Sequence, residues 1–218
     1  MAGETKKPAS VESKKNLNQI AEFKDTLPAT FKETIGKAQA AGFERFRLWS
    51  QDESRCGLFP IIRHRITAKG VQPIISSELK TDNFYLFGAV EPLTGEQFVL
   101  ELPVLNHQTF QIFLDHFAAA DKESFHVLLV DNATFHTTPQ LQIPANVGFR
   151  FVPPHSPELN PIERFWRDVK DWLATQTVET LEDLSNLLVS RLNSYATRVV
   201  KSLTSFDYLM SSWLNAFV

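Results

Sequence analysis

The segment Phe125-His-Val-Leu-Leu-Val-Asp131 constrains this chain more than any other. Nearly every position in it is apolar, so neither face of the segment can rest against water. That pattern predicts a strand covered on both sides, the kind found inside sheets with helices above and below. The segments around it agree. Residues 45–52, Arg-Phe-Arg-Leu-Trp-Ser-Gln-Asp, alternate apolar and polar like a half-buried strand. Residues 84–90 and 98–102 flank a turn at Glu91-Pro-Leu-Thr-Gly95 and read as a hairpin. Residues 147–152 form another strand, ended by Pro153 and Pro154.

Helical patterns fill the gaps. Phe110, Phe113, Leu114 and Phe117 recur at i, i+3, i+4, i+7, which predicts an amphipathic helix over 107–119. Ile162, Phe165, Trp166, Val169, Trp172 and Leu173 continue the same spacing over three turns. Two further helices are expected. One covers 181–194 and opens on the capping-box pattern Thr180-Leu-Glu-Asp183; the other covers 203–217, with Leu203, Phe206, Met210, Trp213 and Phe217 on one stripe. The four tryptophans, Trp49, Trp166, Trp172 and Trp213, read as core residues. The predicted fold is α/β, a mixed sheet with helices on both faces and extra C-terminal helices.

Residues 55–82 hold Gly57, Pro60, Gly70 and Pro73 around short apolar runs and read as an inserted hairpin or loop. Residues 1–18 are rich in Lys, Ser and Glu and read as a flexible tail. Residues 19–44 carry short helical patterns broken at Pro28. The expected division is therefore a tail and short helical linker over 1–44, then one folded domain over 45–218.

Composition removes several function classes. With 43% hydrophobic residues in 218, the chain builds a sizeable core. No apolar run reaches the ~18 residues of a membrane-spanning helix, and the first residues lack a hydrophobic signal segment. A single cysteine, Cys56, excludes a disulfide framework and a four-cysteine zinc module, and a cytoplasmic, reducing compartment fits best. The net charge of −3 does not advertise a nucleic-acid partner. Its distribution does more. Between residues 45 and 69 lie Arg45, Arg47, Arg55, Arg63, Arg65 and Lys69 against only Asp52 and Glu53. This stripe is either a solvated surface or a phosphate-binding footprint.

Three acids occupy positions where α/β sheets collect chemistry, at strand ends and at the start of a helix. Asp52 closes the first strand, Asp131 closes the buried strand, and Glu163 lies in the first turn of the strong helix. Gathered together, they would raise each other's pKa values unless a cation intervened. Mg²⁺ takes oxygen ligands, and two such ions about 3.5–4 Å apart serve both the attacking and leaving oxygens of a phosphodiester. Each acid also has a plain structural reading. Glu53 competes with Asp52, Asp131 with Asn132 suits an Asx turn, and Asn160-Pro161-Ile162-Glu163 suits a helix cap. Asn160, Glu163, Arg167 and Lys170 share one helix face, where a metal ligand and phosphate contacts would sit together; a Glu163–Arg167 ion pair is the simpler alternative. His136 and His155 read as metal or DNA contacts, or as hydrogen-bonding and packing residues. No HExxH, Walker loop, Gly-x-Gly-x-x-Gly or nucleophile elbow is present.

Three stretches carry a family resemblance: Gln51-Asp-Glu-Ser-Arg55, Val130-Asp-Asn-Ala-Thr-Phe-His136 and Pro153-Pro-His-Ser-Pro-Glu-Leu-Asn-Pro-Ile-Glu163. With Gly88-Ala-Val-Glu-Pro-Leu-Thr-Gly95 and Ala68-Lys-Gly-Val-Gln-Pro73, the chain resembles the DDE transposases of the mariner-like insertion-sequence superfamily over roughly residues 45–200. The resemblance implies a ribonuclease-H-like fold. Asp52, Asp131 and Glu163 match the three metal-binding carboxylates, with Asp52 bridging two Mg²⁺ ions (Mn²⁺ accepted) and each of the others holding one. It implies hydrolysis at transposon ends followed by attack of the freed 3′-hydroxyl on target DNA. Arg55, Arg63, Arg65, Lys69, Arg167 and Lys170 become the DNA contacts, and Asn132, His136, His155 and Asn160 the supporting residues. The implied partners are transposon-end and target DNA and a second copy of the chain, in a cytoplasmic, nucleoid-associated setting. Two departures stand out. His155 occupies a position where the family usually has tyrosine, and about 44 residues precede the catalytic region where the family carries helix-turn-helix modules. The end-reading part is therefore expected to be missing or to come from a separate chain. A domesticated binding protein of the same fold, and a nuclease without strand transfer, remain open.

Overall fold

A computed structural model describes residues 11–58 and 83–218. In chain order the elements are α1 (Val11–Ala40), β1 (Arg45–Gly57), β2 (Asn83–Val90), β3 (Gln97–Leu102), α2 (His107–Ala120), β4 (Ser124–Val130), β5 (Val147–Phe151), α3 (Ile162–Leu173), α4 (Leu181–Ser194), α5 (Thr197–Thr204) and α6 (Asp207–Asn215). The strands form one sheet in the order β3-β2-β1-β4-β5. β1, β2 and β3 are antiparallel neighbours, while β4 pairs in parallel with both β1 and β5.

The apolar run of β4 does what its composition demands. Val127 and Leu129 face one side, Leu128 and Val130 the other, and all four are buried. Under the second side lies α2, whose Phe110, Phe113, Leu114 and Phe117 pack on Trp49, Phe87, Leu128 and Val130. The first side carries two separate clusters. Over β1 and β4, Leu48, Val127 and Leu129 meet α1 and α6 through Phe23, Leu27, Phe31, Ile35, Leu209 and Trp213. Over β1 and β2, Cys56, Phe84, Leu86 and Val90 meet α3, α4 and α5 through Ile162, Phe165, Trp166, Val169, Leu188 and Val200. The polar middle of β1 falls between these two clusters.

Three expectations change. The patterns on either side of Pro28 are a single helix, and residues 11–18, read as tail, form its first turns. A mid-helix proline costs about 3 kcal/mol. Phe23, Leu27, Phe31 and Ile35 bury fully in one core on both sides of it, at about 1.5–3 kcal/mol each, so the tertiary contribution prevails. The segment 203–217 is two helices rather than one. Leu203 belongs to the α3–α5 cluster, whereas Phe206, Leu209 and Trp213 belong to the α1 cluster, and one straight helix cannot serve both. The break falls at Ser205 and Phe206, both outside helical geometry. Finally, β1 does not stop at Asp52. It runs on to Gly57 because β2 continues to pair with it, from Ser50 opposite Val90 to Gly57 opposite Asn83. The strand that ends here is β4. The expected loop lies beyond β1, and its residues 59–82, like residues 1–10 of the tail, fall outside the described residues.

One glycine sets how closely α3 approaches the sheet. Gly88 on β2 pairs with Asp52, and a Cβ built there would lie 2.4 Å from the ring of Trp166. Trp166 is 1% exposed and has no room to retreat. The Gly88→Ala substitution is therefore expected to destabilise the fold by about 1–3 kcal/mol in chemical denaturation, because α3 must lift from β2. An unchanged midpoint would show that the close approach is not required.

Candidate active site

The alternation along β1 explains how a polar pocket forms inside a covered sheet. Phe46, Leu48, Ser50 and Asp52 share one face, and that face passes from apolar to polar along the strand. The β1–β4 ladder ends at Ser50 opposite Leu129, and Asp52 and Asp131 each lie two residues further on, at the level where β4 ends. The charge of Asp131 is felt at Asp52. Beyond that level β1 has a neighbour only on the β2 side, and a cleft opens beside it.

The third acid arrives through a buried junction. Ser50 Oγ donates to Asn160 Oδ1 and accepts from the backbone N–H of Ile162 at 3.1 Å. Asn160 Nδ2 donates to the carbonyl of Gln51 at 2.9 Å. The start of α3 is thus capped by a strand residue. Asn160, expected as a side-chain cap, is spent on β1 instead, and α3 has no side-chain cap of its own. The junction holds Glu163, in the first turn of α3, over the cleft, where the positive end of the helix favours its charge.

The cleft has a volume of about 520 Å³. Asp52, Asp131 and Glu163 all line it, together with Asn132, His155 and Asn160. Asn132 fastens the rim by donating from Nδ2 to the carbonyl of Val152. His155 adopts the left-handed conformation (φ 56°) in the turn that follows the two prolines, a region where His is better tolerated than most side chains. The remaining expected residues lie elsewhere. His136 is buried beneath Asp131 rather than open to the cleft. Arg55, Arg167 and Lys170 do not line it, and among the described residues Glu163 and Arg167 form no ion pair. Arg63, Arg65 and Lys69 lie outside the described residues. The competition between Asp52 and Glu53 is settled by the pleat. Glu53 points to the opposite side of the sheet, where Gln51 Nε2 donates to it at 2.7 Å.

The electrostatics differ from one acid to the next. Burial pushes the Asp52 carboxyl well above its ordinary pKa, and the charges of Glu53, Glu163 and Asp131 add to the effect. Asp131 moves the other way, chiefly because His136 Nδ1 lies 2.8 Å from its Oδ1. That oxygen also accepts from the Ala133 N–H at 2.9 Å, so the Asx turn expected from Asp131-Asn132 is present as well. Burial alone would lower the His136 pKa, but its bonds to Asp131 and Glu53 outweigh burial and push it up to about 9. The ring is therefore an imidazolium at neutral pH.

Among the described residues no Lys or Arg lines the cleft. Three carboxylates and the Asn132 amide oxygen make a donor set dominated by oxygen, with one of the carboxylates held at high electrostatic cost. Hard divalent cations suit such a set, and softer metals do not. Among the described residues no three His, Cys, Asp or Glu side chains stand close enough to form a ready-made metal cluster. Sequence reasoning missed Ser50, Gln51 and Gly88. The signal for the first was its polar side chain on an otherwise apolar strand face.

Three comparisons bear on this geometry. A family model described as DDE superfamily endonuclease matches residues 47–185. The uncharacterized protein y4pE/y4sA of Sinorhizobium fredii is 37% identical over 102 residues, covering 46% of this chain and 76% of that protein. Among solved structures, the Mos1 strand transfer complex is similar with a TM-score of 0.61 and 18% identity over 99% of this chain and 65% of that one. The mariner Mos1 paired end complex with Mg gives 0.60 and 17%, over 98% of this chain and 66% of that one. The catalytic domain of Mos1 mariner transposase gives 0.54 and 13%, over 97% and 95%. The chain thus spans about two thirds of the transposase chains in the complexes and nearly all of the isolated catalytic domain. The mixed five-stranded sheet is the ribonuclease-H-like architecture that the resemblance implied. No helix among the described residues is long and apolar enough to cross a membrane.

The raised pKa of Asp52 makes a signed prediction. The folded chain holds this proton to higher pH than the unfolded chain, so the cation-free fold loses stability as pH rises from the ordinary aspartate range through the folded value. Melting temperatures in EDTA between about pH 4 and 8 should fall less steeply for Asp52→Asn than for the parent chain. Parallel profiles would show that Asp52 carries no such strain.

Proposed function

We propose that this chain, which belongs to the DDE superfamily of endonucleases, is the catalytic domain of a DNA transposase. The observation that carries the reading is the convergence of Asp52, Asp131 and Glu163 on one cleft, which among the described residues no Lys or Arg lines. Those three carboxylates would hold a pair of divalent cations, Mg²⁺ with Mn²⁺ as a substitute. Bound there, such ions supply a charged clamp for the attacking and leaving oxygens of a phosphodiester.

The chain's own residues do the positioning. Asp131 is kept ionised by His136, and Glu163 is kept over the cleft by the Ser50–Asn160 junction. Asn132 and Asn160 fix the rims. Arg167 and Lys170 follow Glu163 on the same helix and suit the phosphates of a duplex entering from that side, whereas Arg55 shares with Glu53 the opposite face of β1 and would meet DNA only there. Substrate is read as DNA, both transposon end and target, with the freed 3′-hydroxyl as second nucleophile. A second copy of the chain would handle the second end, and a separate helix-turn-helix chain would read the terminal repeats. The setting that fits is cytoplasmic and nucleoid-associated. The catalytic unit is residues 45–218, with α1 packed onto its sheet. A binding protein that had lost catalysis would have no need to keep three like charges aimed into one cleft.

The test uses duplexes that carry the inverted repeats flanking the gene, both intact and pre-cut, with Mg²⁺ and with a supplied repeat-reading chain. The parent chain should nick intact duplexes and join pre-cut ends to a second duplex. Asp131→Asn should reduce both to background with an unchanged circular dichroism spectrum. Normal cleavage by that variant removes the assignment, and cleavage without joined products would make the chain a nuclease rather than a transposase.

A further inference from the structure

His136 lies against the site, yet no step above uses it except to keep Asp131 ionised. Its side chain is 1% exposed, and each ring nitrogen faces a carboxylate: Nδ1 lies 2.8 Å from Asp131 Oδ1, and Nε2 lies 3.2 Å from Glu53 Oε1. The rings of Phe110 and Phe135 hold it in place, with centroids 4.3 and 4.2 Å away. Glu53 is fixed in turn, since Oε1 also accepts from Gln51 Nε2 at 2.7 Å. On the other side, Asp131 Oδ1 takes a second bond from the Ala133 N–H at 2.9 Å. Both hydrogen bonds of the Asp131 carboxylate thus fall on Oδ1, and among the described residues none falls on Oδ2. Asp131 is the first residue past β4 and half exposed, so without these bonds its side chain would be free to rotate.

We propose that Glu53 and His136 are positioning residues that lock Asp131 through Oδ1, so that Oδ2 is the oxygen offered to the cation in the cleft. The inference rests on the reading of Asp131 as a cation ligand and deepens it. The neighbouring acids of β1 divide the work across the sheet. Asp52 faces the cleft, while Glu53, pointing the other way, orients the ligand on the next strand through one imidazole. Partners of this kind, one bond removed from a metal, typically change affinity by about 10–100-fold when lost.

The experiment measures Mn²⁺ binding to the full 218-residue chain by the loss of the free-ion paramagnetic signal, without DNA. His136→Ala removes the bond to Asp131. His136→Asn keeps it, because the asparagine amide reaches about as far as Nδ1 but stops short of Glu53. Both variants leave Glu53 without its partner, so both should lower the melting temperature to a similar extent. The Mn²⁺ dissociation constant should rise about 10–100-fold for His136→Ala and by a distinctly smaller factor for His136→Asn, which keeps the bond to Asp131 and loses only the hold of Glu53. In nicking assays the Mn²⁺ requirement of His136→Ala should shift, with kcat recovered at saturating metal. Equal affinities in the two variants overturn the positioning role and leave His136 a packing residue. If either variant fails to fold, the pair is compared in a Glu53→Gln background, where no buried carboxylate is left unpaired. Asp131→Ala runs alongside. Unchanged Mn²⁺ binding in it overturns the assignment of Asp131 as ligand and this inference with it, whereas loss there with equal His136 variants overturns the inference alone.

Discussion

A hydroxyl on β1 joins sheet to helix, and the cleft exists because of it. Ser50 Oγ is fully buried, gives its proton to Asn160 and accepts the first N–H of α3. A buried N–H without an acceptor costs about 1–3 kcal/mol, so the start of α3 is tied to this spot on the strand. Gly88 then lets the next turn of α3 settle against β2. With both ends of that contact set, Glu163 has one place to go. The parallel pairing of β1 with β4 independently brings Asp52 and Asp131, each two residues past the last pair, to one end of the ladder. Two backbone constraints, neither of them catalytic, bring three acids from distant parts of the chain to one cleft.

The arrangement is unfavourable as a piece of folding. Asp52 is surrounded by Glu53, Glu163 and Asp131, and burial removes the water that would screen them. The apolar clusters on either side must offset this, and they are large. α1 and α6 close one flank; α3, α4 and α5 close the other. The cost falls on a narrow polar strip between them. Elsewhere the fold neutralises its buried charge. On the far side of the hairpin, Arg47 bonds Glu91, Glu96 and Asp121 together. The contrast between that paired network and a cleft where three carboxylates meet and only Asp131 has a cationic partner, His136, is a physical reason to look for function in the second.

Much of this was legible in the chain itself, and the parts that were not have a common cause. The two-sided run of β4, the Phe stripe of α2 and the Ile162–Val169 stripe of α3 are local patterns, and each element appeared where its period placed it. Asp131 and Glu163 stand out in the sequence because they abut those patterns, and both line the cleft. What escaped depended on contacts between distant residues. Pro28 reads as a break until Phe23 and Phe31 are seen in the same core. The end of β1 cannot be read from β1, because β2 decides it. Leu203 and Phe206 look like one stripe until their separate clusters are known. Asp52 and Glu53 are equivalent in composition, and only the pleat assigns them to opposite faces. His136 had several readings, and the one realised, a hydrogen-bonding residue, required knowing that Glu53 would stand across the ring from Asp131.

The ring of Phe110 touches the ring of His136, and Phe110 belongs to α2, on the side of the sheet away from the cleft. The reactive pocket therefore has a mechanical back door. A small molecule wedged beneath α2, or a bulkier side chain in its phenylalanine stripe, would tilt one imidazole and turn the Asp131 carboxylate without entering the cleft. On the proposed reading of the cleft, control from behind, insensitive to the concentration of substrate in front, is a mode this architecture makes accessible.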